Sequence, residues 1–247
     1  YVQIRDQQRE FFSSPPMKKN PSLLVRGRGV QVDIQDTLLE NTSYVLNFGS
    51  SVRDNNGGNP LYGFKYVFST GPEIDSMYVS GYTVDAYKKD SVSRTLIYFY
   101  DPLTDSIPAY DSTLLKHKPI AIGRAENNGI FITSNLKPAA YRIYAFQDTN
   151  DNFTYDPGID KVAFLDGTYN PLDLEDFRAW YDTTRSYWTA DPQIYFRLFA
   201  DKQFKRQNLT ESKRPQQRKL ELFFNDPYPQ IDSLFLDGID SSRIVTE

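Results

Sequence analysis

The chain has 247 residues, enough for about two domains, and a net charge of −4 that gives no global pull toward nucleic acid. Fifteen Pro, eighteen Tyr and seventeen Phe weigh against a helical bundle, and no stretch reaches the roughly eighteen apolar residues of a membrane-spanning helix. Cysteine is absent from these residues, which excludes thiol catalysis, thiolate metal sites and disulfides but leaves the compartment open.

In chain order, residues 1–73 give short alternating runs: Val30, Val32 and Ile34, then Tyr44, Leu46 and Phe48, then Phe64, Tyr66 and Phe68. Turn chemistry separates them at Ser14-Pro15-Pro16 and at Asp54-Asn55-Asn56-Gly57-Gly58-Asn59-Pro60, so a β-sandwich is expected. Tyr1-Val2-Gln3-Ile4 alternate like a strand already under way, and residues 231–238 like one leading onward. Both ends are therefore expected to be cut from a longer protein.

A second sandwich is expected over 74–200, opening with Met77-Tyr78-Val79-Ser80-Gly81 and Leu96-Ile97-Tyr98-Phe99-Tyr100. Asn127-Asn128-Gly129 is a hairpin signal leading into Ile130-Phe131-Ile132. Asn135-Leu136-Lys137-Pro138 breaks the chain, and Tyr141-Arg142-Ile143-Tyr144-Ala145-Phe146 suits a strand buried on both faces, so 127–166 is expected to be a β-meander. Residues 167–190 read as an insertion, where Leu174, Phe177 and Tyr181 have near-helical spacing but Pro171 and Asp182-Thr183-Thr184 keep any helix short. Residues 194–199 close the domain, 201–219 form a basic connector, and Leu220, Leu222 and Phe224 begin the first strand of a further β unit over 220–247. The expected fold class is all-β, two tandem sandwiches with a partial third β unit at the C-terminus.

Few motifs carry chemistry. Asp148, Asn150, Asn152 and Asp156, with Asp160 beyond, offer oxygen ligands at the alternate spacing of a calcium loop. The comparison with an EF-hand fails where Phe153 replaces the turn glycine and Ile159 the bidentate Glu. The plainer reading is Asx-turns in an exposed loop; no cofactor is required, and any calcium would stiffen the loop rather than catalyse. His117, the sole histidine, lies between lysines and lacks the partners of a triad or zinc site. Adjacent carboxylates such as Glu175 and Asp176 show no opposed placement across a cleft. Lys202, Lys205, Arg206, Lys213, Arg214, Arg218 and Lys219 form a basic run that reads as a solvated linker, with anionic lipid or an acidic partner as the alternative.

Three phrases in order, Glu40-Asn41-Thr42-Ser43-Tyr44-Val45-Leu46-Asn47-Phe48-Gly49, residues 54–61 and Tyr66-Val67-Phe68-Ser69-Thr70-Gly71, resemble the end of the bacterial Ig-like domain of the SbsA type found in Bacteroidota cell-envelope proteins. Asn128-Gly129-Ile130-Phe131, the stretch from Leu136 to Tyr141 and Ala145-Phe146-Gln147-Asp148-Thr149-Asn150 resemble the prealbumin-like sandwich of carboxypeptidase regulatory modules. Ala139-Ala140 departs from that pattern, which usually sets Gly just before the Tyr. Asp followed by Ser or Thr, at Thr37, Ser76, Ser91, Ser106, Ser112, Thr183 and Ser233, resembles the O-glycosylation site of exported Bacteroidota proteins.

These resemblances imply a non-enzymatic envelope lipoprotein, anchored in the outer membrane by a lipid outside the given residues and facing the cell surface rather than the periplasm. It would be a structural or protein-interaction subunit of an assembly for secretion, barrel insertion or nutrient uptake, with exposed tyrosines and arginines as anchors and no nucleic-acid partner. The alternative is a carbohydrate-binding accessory module of a polysaccharide-uptake system, its glycan platform built from Trp180, Tyr181, Tyr187 and Trp188. A third reading is a hydrolase whose catalytic domain lies outside these residues.

Overall fold

The computed structural model describes residues 2–102, 117–184, 187–200, 208–217 and 219–224, with the backbone only over 179–182 and 187–190. The fold is all-β and divides into two compact units, Tyr1–Asp201 and Lys202–Glu247. Among the described residues no helix is long and apolar enough to cross a membrane.

The first unit opens with β1 (Val2–Ile4), a single-turn α1 (Gln7–Glu10), β2 (Phe12–Ser14), β3 (Ser22–Arg26), β4 (Gly29–Asp33), β5 (Ser43–Asn47), β6 (Val52–Asp54) and β7 (Lys65–Ser69). They pair antiparallel as β1 with β6, β3 with β4, and β2-β5-β7 in one small sheet. The alternation of Tyr44, Leu46 and Phe48 sends them into a core with Phe11, Met17, Leu23 and Val52, onto which Val30, Val32 and Ile34 pack from the side. The Asn55–Asn59 turn is organised by Asp54, whose carboxylate accepts the backbone N–H groups of Gly57, Gly58 and Asn59 and the Asn59 amide.

The sandwich that follows contains β8 (Met77–Asp85), β9 (Thr95–Tyr100), β10 (Ala121–Arg124), β11 (Ile130–Leu136), β12 (Arg142–Gln147), β13 (Lys161–Phe164), the hairpin β14 (Arg178–Asp182) and β15 (Tyr187–Asp191), and β16 (Ile194–Ala200). The order β10-β9-β12-β13-β16-β8-β11 makes two layers. β16 belongs to both, since Ile194–Leu198 run parallel to β8 while Phe199 and Ala200 pair antiparallel with β13. The unbroken apolar runs of β9 and β12 follow from burial on both faces. Ile97, Phe99, Ile143 and Ala145 fill the interior between the layers, and Leu96, Tyr98, Tyr100, Tyr144 and Phe146 form a second cluster outside it. Phe12 of β2 joins that outer cluster, whereas its neighbour Phe11 enters the core of the first strands.

The expected meander does not form as a unit. β11 pairs with β8 rather than β12, and only β12 and β13 are neighbours. Gly129 does make the turn, at φ 84°, where a Cβ would press on Thr83 O, but the strands on either side of it separate. The break expected over Asn135-Leu136-Lys137-Pro138 falls after Leu136, where β11 ends, and Asn135 itself makes a β-bulge within β11 at φ 61°. The near-helical spacing of Leu174, Phe177 and Tyr181 gives no α-helix: Pro171–Asp173 form one 3-10 turn and Tyr181 lies in β14. Proline at the first position starts a turn well, but the chain returns to extended backbone at Leu174.

In the second unit, β17 (Leu209–Gln216) and β18 (Lys219–Phe224) form an antiparallel pair. Residues 209–216 of the expected connector are thus a strand, and Leu220, Leu222 and Phe224 lie on the second arm of a hairpin. A register shift between Lys213 and Gln216 absorbs Pro215, which has no N–H to offer the ladder.

The four hydrogen bonds on Asp54 pull its carboxyl down to about 2, the Gly57 N–H first among them. The folded value is depressed, so the associated stability is complete above the ordinary carboxylate range near 4 and is lost as pH falls through about 2. Melting temperatures measured between these limits should fall less steeply in Asp54→Ala than in the natural chain.

Candidate functional site

The expected calcium ligands come together, and the loop they form closes on itself. Asp148 accepts the N–H of Asn152 on one oxygen (3.0 Å) and of Phe153 on the other (3.1 Å). Asp160, only 1% exposed, accepts the N–H of Thr149 (3.0 Å) and of Asp156 (2.9 Å). Asp156 Oδ2 receives the side-chain amides of Asn150 (2.7 Å) and Asn152 (2.8 Å). Burial raises the pKa of Asp148, opposed by the two N–H groups it accepts. Among the described residues no group of three His, Cys, Asp or Glu side chains is set to hold a metal ion.

Phe153 occupies the position at which an EF-hand places glycine, and it adopts the left-handed backbone a glycine would supply, with φ 57°. That conformation is unfavourable for a bulky residue and persists where surrounding contacts fix it. Here the ring packs 6.0 Å from Phe12, and the carbonyl accepts a hydrogen bond from the buried Tyr98 hydroxyl. The loop therefore acts as a cover: it lays Phe153 and Tyr155 over the outer face of β9 and β12.

Beneath that cover Arg124 of β10 crosses to the half built from β1 to β7. Its guanidinium donates to the carbonyls of Arg9 (2.7 Å) and Glu10 (3.2 Å) and stands 3.5 Å from the Glu10 carboxylate. It lies 4.8 Å from the Phe12 ring centre and 5.6 Å from that of Phe153. Burial lowers its pKa against the opposing pull of Glu10, Asp148, Asp151 and Glu126. Asp151 pairs with Arg9 (3.5 Å) and Arg94 (3.7 Å), which ties the loop to the same junction. Arg124 and Phe12 do not stand out from sequence. The available signal for Arg124 was a lone cation inside the apolar run Ala121-Ile122-Gly123-Arg124-Ala125. Beside the junction lies a cleft of about 400 Å³, lined by both halves of the unit.

The other candidates stay apart. His117 is exposed, and nothing catalytic is assembled around it among the described residues. Glu175 gives its carbonyl to Gln193 Nε2 (2.6 Å) and lies in the stretch leading to β14. Trp180, Tyr181, Tyr187 and Trp188 fall on the β14–β15 hairpin, where the register sets Tyr181 against Trp188 and Trp180 against Thr189. Thr37, Ser76, Ser91 and Thr183 are exposed, while Ser106, Ser112 and Ser233 lie outside the described residues. In the basic run, Lys213 pairs with Glu211 (3.0 Å) and stands over Phe223, and Lys219 pairs with Glu221 (2.8 Å). Arg214 donates to Gln217 O, and Lys202, Lys205, Arg206 and Arg218 lie outside the described residues.

The first strands form small antiparallel sheets packed around Tyr44, Leu46 and Phe48. Residues 1–70 match the bacterial Ig-like domain. No curated protein and no solved structure matches the chain. Such Ig-like domains are typically non-catalytic and are consistent with a structural or interaction module.

Arg124→Met keeps much of the apolar stem but leaves two carbonyls and a carboxylate without their cation. A loss of about 3 kcal/mol is expected in urea unfolding, with the single transition split in two as the halves uncouple. Asp160→Ala removes an acceptor from two buried N–H groups and should cost about 2 kcal/mol by the same measurement. Calcium added to the natural chain distinguishes the two readings of the loop: a rise in melting temperature that Asp156→Ala abolishes supports the ion, and an unchanged melt supports closure by the hydrogen bonds alone.

Proposed function

We propose that the chain is part of a non-enzymatic cell-envelope lipoprotein that serves as a structural or protein-interaction subunit of an outer-membrane assembly. The observation that carries this reading is the free edge of the Ig-like half. β7 ends the β2-β5-β7 sheet, and it and the segment before it expose Leu61 (54%), Tyr62 (78%), Phe64 and Tyr66 (56%). An open strand edge carrying large apolar and aromatic side chains is a template for a protein neighbour, and tyrosine is among the residues that concentrate binding energy. The Ig-like match and the exposure of the described glycosylation candidates support the same reading. The roles in secretion, barrel insertion or nutrient uptake, the lipid anchor, the prealbumin-like character of the second sandwich and the surface-facing location are parts of this proposal that rest on the sequence resemblances.

The test is purification of the full-length protein from its native membrane in mild detergent, with the stoichiometry of co-purifying proteins quantified. A membrane-protein partner in fixed ratio is expected, and Leu61→Lys with Tyr66→Lys should reduce its recovery at least several-fold without moving the melting temperature. Recovery of the protein alone would overturn the proposal.

A further inference from the structure

The β2-β5-β7 sheet ends in a strand whose outer side is bare. Phe48 N–H donates to Phe64 O (2.9 Å) and Thr70 N–H to Thr42 O (3.1 Å), and between them Tyr66 faces Leu46 and Phe68 faces Tyr44. In an antiparallel ladder every second pair exchanges hydrogen bonds, so Phe64, Tyr66, Phe68 and Thr70 turn their N–H and C=O groups toward β5. Lys65, Val67 and Ser69, opposite Asn47, Val45 and Ser43, therefore turn theirs away. Those three N–H and three C=O groups make no hydrogen bond among the described residues.

Nothing in β7 blunts this edge. Its five pairs with β5 run without a shift of register, and it contains no proline. At the other end of the sheet β2 has only three residues and runs into Pro15-Pro16, while β17 takes Pro215 at a register shift. Proline, bulges and brevity guard an edge against a joining strand, and β7, five residues long, has none of the three.

The side chains show what such a strand must carry. Tyr44 stacks on Phe68 with ring centres 5.4 Å apart, Phe48 packs on Phe64 at 5.2 Å, and Tyr66 lies 6.2 Å from Phe68. The β7 rings thus continue the core row of Tyr44, Leu46 and Phe48, yet Phe64 is 39% exposed and Tyr66 56%, with no strand beyond them. A strand laid beside β7 sets its alternate residues against this row. We propose that the partner protein inferred above binds by adding one of its own strands to β7. It would hydrogen-bond the backbone of Lys65, Val67 and Ser69 and set an apolar side chain at every second position against Phe64, Tyr66 and Phe68. The inference rests on the protein-partner reading and specifies its chemistry: the backbone groups supply affinity, and the aromatic row selects a β-branched or aromatic sequence.

Hydrogen–deuterium exchange of the full-length protein, alone and in the assembly purified from its native membrane, tests this amide by amide. The amides of Lys65, Val67 and Ser69 are expected to exchange freely in the protein alone and at least about a hundredfold more slowly in the assembly, whereas those of Tyr66 and Phe68 are slow in both. Val67→Pro removes an N–H that β5 does not use and should lower recovery of the partner about tenfold at a little-changed melting temperature, while Val67→Ala, which keeps the N–H, retains recovery. A partner recovered in fixed ratio with these three amides still exchanging freely would overturn strand addition and leave the protein-partner reading standing. Slow exchange already present in the isolated protein would overturn it as well, since the chain's own residues then close the edge. So would protection that accompanies a homodimer without another protein. Recovery of the protein alone, unprotected at this edge, overturns both readings.

Discussion

The contact on which the first unit depends is the partly buried guanidinium of Arg124. The last carbonyls of a helix have no partner within it, and α1 is too short to supply any substitute. Arg124 supplies two donors to the carbonyls of Arg9 and Glu10 from a strand of the other half, and its planar fork does this while standing over two aromatic rings. The chain then leaves α1 through Phe11 and Phe12, which point into different cores. One residue of backbone alternation thus commits the Ig-like half and the sandwich to a fixed placement. A flexible tether would leave both phenylalanines and the cation exposed.

The acidic loop takes its meaning from the same junction. Asp148 and Asp160 accept backbone N–H groups, which hold the tight turn that carries Phe153 onto Phe12. Asp151, at φ 59°, reaches Arg9 and Arg94. A stretch whose spacing suits a ligand set is also, in its geometry, a clasp. The residue that spoils the EF-hand comparison is the one whose ring and carbonyl make the packing contacts.

Much of the strand content was legible because period and burial coincide. Tyr44, Leu46 and Phe48 alternate, and the unbroken runs of β9 and β12 announce burial on both faces. Strand partners were not legible, because a hydrophobic pattern states which faces are apolar and not which neighbour lies alongside. Asn127-Asn128-Gly129 marked a true turn, yet β11 leaves β10 to pair with β8. β17 escaped because its charged residues are exposed on a hairpin and so carry no apolar period. The five loop residues were found together by spacing alone. Arg124 was missed because its importance comes from carbonyls and rings that only the folded chain assembles.

The sharing of β16 between the two layers bears on how the chain acquires its structure. Ser80 and Gln193, which bond where β8 meets β16, are 113 positions apart, and β8 opens the sandwich while β16 completes it. Pairings of such long range are slow, because the intervening loop must close before any contact rewards it. A chain emerging from its N-terminus therefore presents the Ig-like strands first and holds β8 with one bare edge until residue 194 has appeared. The sandwich is thus a late-closing module, and until it closes Phe12 and the carbonyls of α1 wait for partners in a domain not yet formed. Any factor that receives the nascent chain would meet this half-built state, with an unpaired strand and an aromatic face open to it.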